Sequence, residues 1–188
     1  MRTLATRYAK AVLPFGKRTY IDKTFAPDFE TAKEIFEIGK KHGTPFFSTS
    51  ALRYAEEFQK LDVVNNLIIT GGGGNLPEYC IHLIEMAVLL LNDRFSSLKV
   101  EKQGKQRIIH ISTENDKKAT LIYGCGLPYT VSSEQENEEN IYLPLESDFF
   151  AGLLQDIVKF FKDGVLPFDT NQTLEVMRLR DTLLAADN

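Results

Sequence analysis

The feature that most constrains the fold is a run of four glycines that leads directly into a helical pattern. Gly71 to Gly74 is followed by Asn75 and then by residues 76–91, which are apolar nearly all round. A helix without a polar face is expected to be buried, and glycine permits backbone paths and close approaches that other residues resist. The sequence therefore predicts an interior helix that is reached through a sterically open loop.

The residues before this loop alternate between short strand patterns and helical patterns. Strands are predicted at 18–21, 44–48 and 63–70, with helices at 28–42 and after Ser50. Such alternation is typical of α/β structure. We therefore predict an α/β arrangement for this half of the chain.

The residues after the interior helix have a different character. Two helical patterns close the chain, and before them strand patterns follow one another with short polar turns, at 98–102, 107–113, 118–123, 129–133 and 140–144. Successive strands joined by short turns predict an antiparallel sheet or meander. The second half is therefore predicted to be α+β.

A polar stripe runs along the predicted interior helix. Glu78, His82 and Glu85 fall on one face, since spacings of four and three residues return to the same side of a helix. One interpretation is a catalytic cleft in which His82 exchanges a proton with a substrate hydroxyl. The other is structural: Asn75-x-x-Glu78 is a capping-box pattern, and His82 is a core histidine bonded to Glu78 or Glu85. Helix spacing alone favours the structural interpretation.

Further candidate binding residues lie near strand ends and in the loop. Lys23 follows the first strand, at the edge where an α/β sheet presents ligands; a cation there can orient a hydroxyl or help remove its proton, although most such lysines are solvated. Arg53 and Tyr54 follow the second strand, and arginine can fork onto a carboxylate or hydroxyl pair, although a surface ion pair is commoner. No Lys-Ser/Thr pair follows Gly73 and Gly74, which excludes a P-loop.

Composition narrows the function classes. The net charge of -4 argues against a nucleic-acid surface. The two cysteines are too few for a disulfide scaffold, and their surroundings predict no metal site. The longest apolar run, 86–91, is far shorter than a membrane span. We expect a cytoplasmic protein without a membrane or nucleic-acid partner.

Taken in order, these motifs resemble the Gfo/Idh/MocA family, the relatives of glucose–fructose oxidoreductase and inositol dehydrogenase. Asp22-Lys23-Thr24 resembles the family's Glu-Lys-Pro motif, and Arg53-Tyr54 resembles its Arg-aromatic pair. The segment from Gly72 to His82 resembles its glycine loop followed by Asp-x-x-x-His. The resemblance extends over nearly the whole chain from Thr6 onward.

The resemblance implies an NAD(P)-dependent dehydrogenase that acts on a hydroxyl of a sugar or cyclitol. Lys23 and His82 would handle the hydroxyl proton, with Glu78 orienting them, and Lys23 would also contact the cofactor. The implied substrate-binding residues are Arg53, Tyr54, Gly73 and Gly74. A non-catalytic remnant that binds a ligand or forms oligomers is the alternative.

The sequence departs from the family pattern in three places. Thr24 replaces the motif's proline, and Glu78 replaces the usual aspartate. No Gly-x-Gly-x-x-Gly/Ala turn occurs in the sequence, so the loop that would bring a pyrophosphate to a helix N-terminus is missing. We therefore expect that NAD or NADP is not bound by this chain alone and that the cofactor domain comes from another chain or from a longer gene product.

The resemblance also implies an organisation in two parts. Residues 1–70 would form a partial Rossmann-like segment, and residues 71–188 an α+β substrate and oligomerisation domain. The fold class is α/β plus α+β, with an open, mainly antiparallel sheet covered by helices on one face. The other face is expected to pack on a second copy through Ile109, Ile111, Leu121, Tyr123 and Val131.

Overall fold

The computed structural model describes residues 4–61, 64–135 and 139–187. Its α-helices are α1 (Leu4–Val12), α2 (Phe29–Lys41), α3 (Leu76–Leu91), α4 (Phe149–Asp163) and α5 (Asn171–Ala186). Its strands are β1 (Thr19–Tyr20), β2 (Phe46–Phe47), β3 (Asn66–Gly71), β4 (Phe95–Gln103), β5 (Gln106–Thr113), β6 (Lys118–Tyr123), β7 (Thr130–Glu134) and β8 (Asn140–Pro144). The segment after Ser50 forms two short 3-10 helices, Ala51–Tyr54 and Glu56–Lys60, instead of the predicted α-helix.

Strands β1 and β2 form a small parallel sheet. The Thr19 amide donates to the Pro45 carbonyl, and the Ile21 amide donates to the Phe47 carbonyl, each at 3.1 Å. Successive strand residues point to opposite faces, so Phe46 packs in the core beside α1 and α2 while Phe47 packs on α4. Helices therefore cover this two-stranded sheet on both sides, as parallel sheets require.

The larger sheet has six strands in the order β4-β5-β6-β3-β7-β8. Its neighbouring strands are antiparallel except for β3 and β6, which are parallel. Helix α3 lies against β3 and β6, while α5 packs on α3 and β4. The predicted fold class, with a mainly antiparallel open sheet covered by helices, is confirmed.

Strand β3 occupies a position that the predicted division of the chain did not foresee. Residues 66–70 were assigned to the first part, yet β3 pairs with β6 and β7 in the middle of the six-stranded sheet. A boundary after residue 70 therefore falls inside β3. The six-stranded sheet already begins at Asn66, so the change from the small sheet to the large sheet lies before this residue. One buried apolar cluster includes residues from both parts, among them Leu13, Ile69 and Leu179.

The two faces of the large sheet differ from the expectation. The five residues expected to meet a second copy are at most 5% exposed and lie in the chain's own core: Ile109, Ile111, Leu121, Tyr123 and Val131. That expectation was wrong because these positions face the helices. The opposite face carries a row of side chains in cross-strand register, namely His110, Thr120, Ile68, Ser132 and Tyr142.

Helix α3 is the buried helix that the sequence predicts. Asn75 caps its start, since the Asn75 side chain accepts from the Glu78 amide at 3.0 Å, and Asn92 ends it in the left-handed conformation. Nine of its residues are buried, including Glu85. Within residues 4–61, 64–135 and 139–187, no helix has both the length and the apolar character needed to cross a bilayer.

Candidate functional site

The loop between β1 and α2 holds Lys23 close to the start of α3. Phe25 and Ala26 in this loop are buried, which anchors the backbone just after Lys23. Arg180 of α5 donates to the carbonyls of Pro27 and Pro77, both at 2.9 Å. One buried guanidinium thus joins the Lys23 loop to the first turn of α3.

The Lys23 amine lies against the first turn of α3. Its Nζ donates to the Glu78 carbonyl at 3.3 Å and lies 4.9 Å from the centre of the Tyr79 ring. A cation over an aromatic face is stabilised by the ring quadrupole. Lys23 is therefore held in place by a backbone oxygen and a tyrosine.

The carboxylate of Glu78 points toward the helix cap. Its Oε2 accepts from the Asn75 side-chain amide at 3.1 Å, and Glu78 is exposed. This pairing agrees with the capping interpretation of the Asn75-x-x-Glu78 pattern. The expected contact that would let Glu78 orient Lys23 and His82 is not what the structure shows, because the carboxylate bonds to Asn75.

His82 lies one turn further along α3, and one ring nitrogen is occupied. Its Nδ1 is 2.6 Å from the Ser50 hydroxyl, and its ring centre is 5.9 Å from Tyr79 and 5.7 Å from Tyr129. Burial, and then the nearby Lys23 charge, lower the pKa of His82 to about 4. The imidazole is therefore neutral near pH 7. The shared Tyr79 ring and this charge interaction place Lys23 and His82 in one cluster.

The glycine loop is crowded by tyrosines. A side chain at Gly73 would collide with the Tyr79 ring, and one at Gly71 would collide with the Tyr129 ring. The loop carbonyls accept tyrosine hydroxyls as well, since Tyr123 donates to Gly73 at 2.9 Å and Tyr129 to Gly72 at 3.3 Å. The protein's own rings thus explain why glycine is needed at these positions, while Gly74 has open space beside it.

Arg53 is buried in an ion pair. Its Nε donates to Glu85 Oε1 at 2.9 Å, and its Nη1 donates to Gln172 at 2.8 Å. The side chain is only 6% exposed and stacks on the Phe168 ring at 4.0 Å. Nε and Nη1 are thus bound to internal partners, whereas the buried Nη2 has no hydrogen-bond partner within the described residues. The expected contact between Arg53 and a substrate stays a prediction.

Tyr54 is directed away from the His82 cluster. It packs beside Gly152 of α4, and burial together with the Asp156 charge raises the pKa of its hydroxyl. Arg53 and Tyr54 also line a cavity of about 580 Å³ with Leu90 and Asn92, at the C-terminal end of α3. His82 lies eight residues before Leu90, roughly 12 Å along the helix axis. The cavity beside Arg53 and Tyr54 is therefore at the other end of α3, although the Arg53 guanidinium also bonds Glu85, about one turn after His82.

Structural comparison reveals close likeness to dehydrogenases. A candidate myo-inositol dehydrogenase from Sinorhizobium meliloti 1021 superposes with a TM-score of 0.83 at 12% identity, over 97% of this chain and 75% of that chain. UDP-N-acetylglucosamine 3-dehydrogenase from Acidithiobacillus ferrooxidans gives 0.78 at 11% identity, over 97% and 74%. A variant of the 3-ketoreductase KijD10 from Actinomadura kijaniata, in complex with TDP-benzene and NADP, gives 0.73 at 14% identity, over 97% and 74%.

This chain has the fold of the Gfo/Idh/MocA-type dehydrogenases. No protein-family model matches the sequence, and no curated protein matches it significantly. At 10% to 14% identity the likeness establishes the fold. The roles of individual residues must therefore be argued from this chain's own geometry.

Sequence reasoning missed several residues that shape this site on the Gfo/Idh/MocA fold. Ser50 was considered only as the residue before a predicted helix. It does cap the turn that follows it, because it accepts from the Leu52 amide at 3.2 Å. Tyr79, Tyr129 and Arg180 drew no functional prediction. Tyr79 could have been found, because it lies between Glu78 and His82 on the same helix; the other two come from distant segments.

The glycine loop is not built as a dinucleotide pyrophosphate site. It does not form part of a Gly-x-Gly-x-x-Gly/Ala turn, and Tyr79, Tyr129 and the Gly124 carbonyl lie where side chains at Gly73, Gly71 and Gly72 would be. Across the described part of the chain, no three His, Cys, Asp or Glu side chains are grouped as metal ligands would be.

Proposed function

We propose that this chain supplies the substrate-side part of an NAD(P)-dependent dehydrogenase site that acts on a hydroxyl of a sugar or cyclitol. The observation that carries the proposal is the cluster of Lys23 and His82 around Tyr79, beside the glycine loop. Two structures with this fold are named as a myo-inositol dehydrogenase and a UDP-N-acetylglucosamine dehydrogenase. Their names support a sugar or cyclitol as the proposed substrate class.

The two polar side chains have complementary chemistry. The amine of Lys23 offers hydrogen-bond donors to a substrate oxygen, and the neutral imidazole of His82 can form a hydrogen bond with that oxygen. A nicotinamide, when bound, supplies the hydride acceptor or donor. This chain's residues would bind the hydroxyl-bearing carbon, orient its oxygen and hold its proton.

The cofactor is proposed to come with another polypeptide segment or chain. The sequence has no Gly-x-Gly-x-x-Gly/Ala turn to receive a pyrophosphate, so titration of this chain with NAD(H) or NADP(H) should give no saturable binding in the micromolar range. Such binding, measured by calorimetry, would contradict the proposed division of labour while leaving the substrate site untouched.

The substrate site is tested by saturation-transfer NMR with a panel of polyols, hexoses and nucleotide sugars. The native chain should show transfer to one class, and His82→Ala should abolish it. His110→Ala is the matched control, because His110 lies exposed on the open face of the sheet, away from the cluster. Equal transfer for the native chain and His82→Ala would overturn the proposal, as would no transfer to any member of the panel.

Self-association is a second candidate role, favoured by the open sheet face. Ile68 is 49% exposed and Tyr142 is 63% exposed there, in a row that crosses several strands. Exposed apolar patches of this kind often mark interfaces. Sedimentation should detect a dimer that Ile68→Lys dissociates and that Val158→Lys, on exposed α4, leaves intact; a native monomer would refute this role.

A further inference from the structure

The contact between Ser50 and His82 defines which way the imidazole presents its proton. The Ser50 Oγ and His82 Nδ1 are 2.6 Å apart, and the same oxygen accepts from the Leu52 amide at 3.2 Å. A hydroxyl has one proton to donate. Within the part of the chain that the structure describes, the other contact of this oxygen is His82 Nδ1, and whether Nδ1 accepts or donates depends on the tautomer of the ring.

Ser50 is itself held from behind by a buried network. Its amide donates to Glu85 Oε2 at 2.8 Å, and the other oxygen of Glu85 accepts from Arg53 and Thr49. Ser50 is fully buried. The hydroxyl is therefore fixed by its backbone and cannot itself reach a substrate.

We propose that Ser50 is a positioning residue that donates to Nδ1 of His82 and so fixes the ring as the tautomer with its proton on Nε2. In this tautomer the nitrogen not engaged by Ser50 carries N–H and acts toward a substrate as a hydrogen-bond donor. The Glu85–Arg53 pair supports this arrangement indirectly, because Glu85 anchors the Ser50 backbone.

This assignment gives Lys23 and His82 different roles. Where it concerns the substrate, it rests on the proposed function. The Nε2–H of neutral His82 holds the substrate oxygen, whether that oxygen belongs to an alcohol or a carbonyl. A proton that leaves the oxygen cannot go to a nitrogen that already carries one. Lys23 is then the group of this cluster that takes or returns it, in its free-amine form when it accepts.

The ring nitrogens of His82 test the assignment without any substrate. Long-range proton–nitrogen correlation NMR of the nitrogen-15-labelled chain separates protonated from unprotonated ring nitrogens. Between about pH 5 and 8, where the ring stays neutral because its pKa is about 4, Nδ1 should be unprotonated and hydrogen-bonded and Nε2 protonated. A spectrum with the proton on Nδ1 would overturn the proposal.

Two variants and a control isolate the hydroxyl. Ser50→Ala should move the Nδ1 resonance to that of an unbonded nitrogen and raise the pKa of His82, since the removed donor favours the neutral ring. Ser50→Thr keeps a hydroxyl and should restore the native spectrum. Ser48→Ala, a buried serine two residues away, should leave the His82 signals unchanged, and a native-like Ser50→Ala spectrum would also overturn the proposal.

The groups that face His82 are known, so their effects can be separated. Besides Ser50, they are Lys23 from the loop, Tyr79 on its own helix and Tyr129 before β7. Lys23→Met removes the charge and should raise the pKa of His82 without changing its tautomer. Because the NMR experiment contains no sugar and no cofactor, a failure of the dehydrogenase proposal would leave its outcome unaffected.

Discussion

The two sheets of this molecule are held together by different means. The six-stranded sheet has long ladders, such as the one that pairs β4 with β5 from Lys102 to Ser97. The two-stranded sheet is held largely by aromatic side chains. The Phe46 ring packs at a tilt against Phe36 at 4.7 Å, and the Phe47 ring meets Phe160 edge-on at 5.1 Å. Lys23, which follows the small sheet, therefore depends on side-chain packing, whereas the glycine loop follows a strand, β3, that is paired on both sides.

The largest effect is expected at the ion pair that joins the two regions. Arg53 follows β2 and Glu85 belongs to α3, and both side chains are nearly fully buried. Arg53→Ala should lower the free energy of unfolding by about 3–5 kcal/mol, because it leaves a buried carboxylate unpaired. Urea denaturation followed by circular dichroism measures this.

The control for this prediction is a surface pair. Lys33 and Glu30 are 2.8 Å apart and exposed, so Lys33→Ala should cost at most about 1 kcal/mol. Equal effects of Arg53→Ala and Lys33→Ala would mean that the two regions are not joined through Arg53.

Phe160→Ala sharpens the contrast between the sheets. Phe160 is fully buried against Phe47, and its truncation should cost about 3 kcal/mol. Hydrogen exchange should accelerate at β1 and β2 but not at β5. Leu121→Ala, in the large sheet, is the comparison variant. If Phe160→Ala raised amide hydrogen exchange equally in both sheets, the two sheets would open as one unit.

The glycine loop gives a matched pair of variants with a smaller effect. A side chain at Gly72 would meet the Gly124 carbonyl, which belongs to the backbone and cannot rotate away, whereas Gly74 has free space. Gly72→Ala should cost about 1–3 kcal/mol, and Gly74→Ala less than about 0.5 kcal/mol. Thermal unfolding of both variants measures these losses of stability. A larger loss for Gly74→Ala than for Gly72→Ala would contradict the packing described for this loop.

The smallest effect is a pH dependence. Because folding lowers the pKa of His82 from 6.5 to about 4, the unfolded chain binds its proton first as the pH falls. The stability contributed by neutral His82 is present above about pH 6.5 and is lost as the pH falls toward 4, by about 1–2 kcal/mol once partial exposure is allowed for. His82→Gln should flatten this part of the stability curve, and an unchanged curve would argue against a buried neutral ring.

Much of the large sheet could be predicted from the sequence, because its signals are local. Strand β8 was predicted at residues 140–144 and β6 at 118–123, and both are found there. Alternating side chains and polar turns mark such strands directly. The insertion of β3 between β6 and β7 could not be predicted, because its partners lie some fifty or more residues away and no local pattern encodes that pairing.

The site was predictable only in part for the same reason. The capping pair of Asn75 and Glu78 is a local motif and was recognised as an alternative. The bond from Ser50 to His82 spans 32 residues, and the Glu85–Arg53 pair also spans 32. Helix spacing put Glu78, His82 and Glu85 on one face, but only the fold decides that Glu78 turns to its cap and Glu85 to Arg53.

The position of β3 also sets an order of events during biosynthesis. Its partners in the sheet are residues 118–123 and 130–133, so the strand leaves the ribosome well before either neighbour exists. Closing such long loops costs entropy before any contact repays it. We expect a nascent chain that ends before residue 118 to carry β3 unpaired, with the glycine loop unformed, and pulse proteolysis of stalled chains should show protection of this segment only once β6 and β7 have emerged.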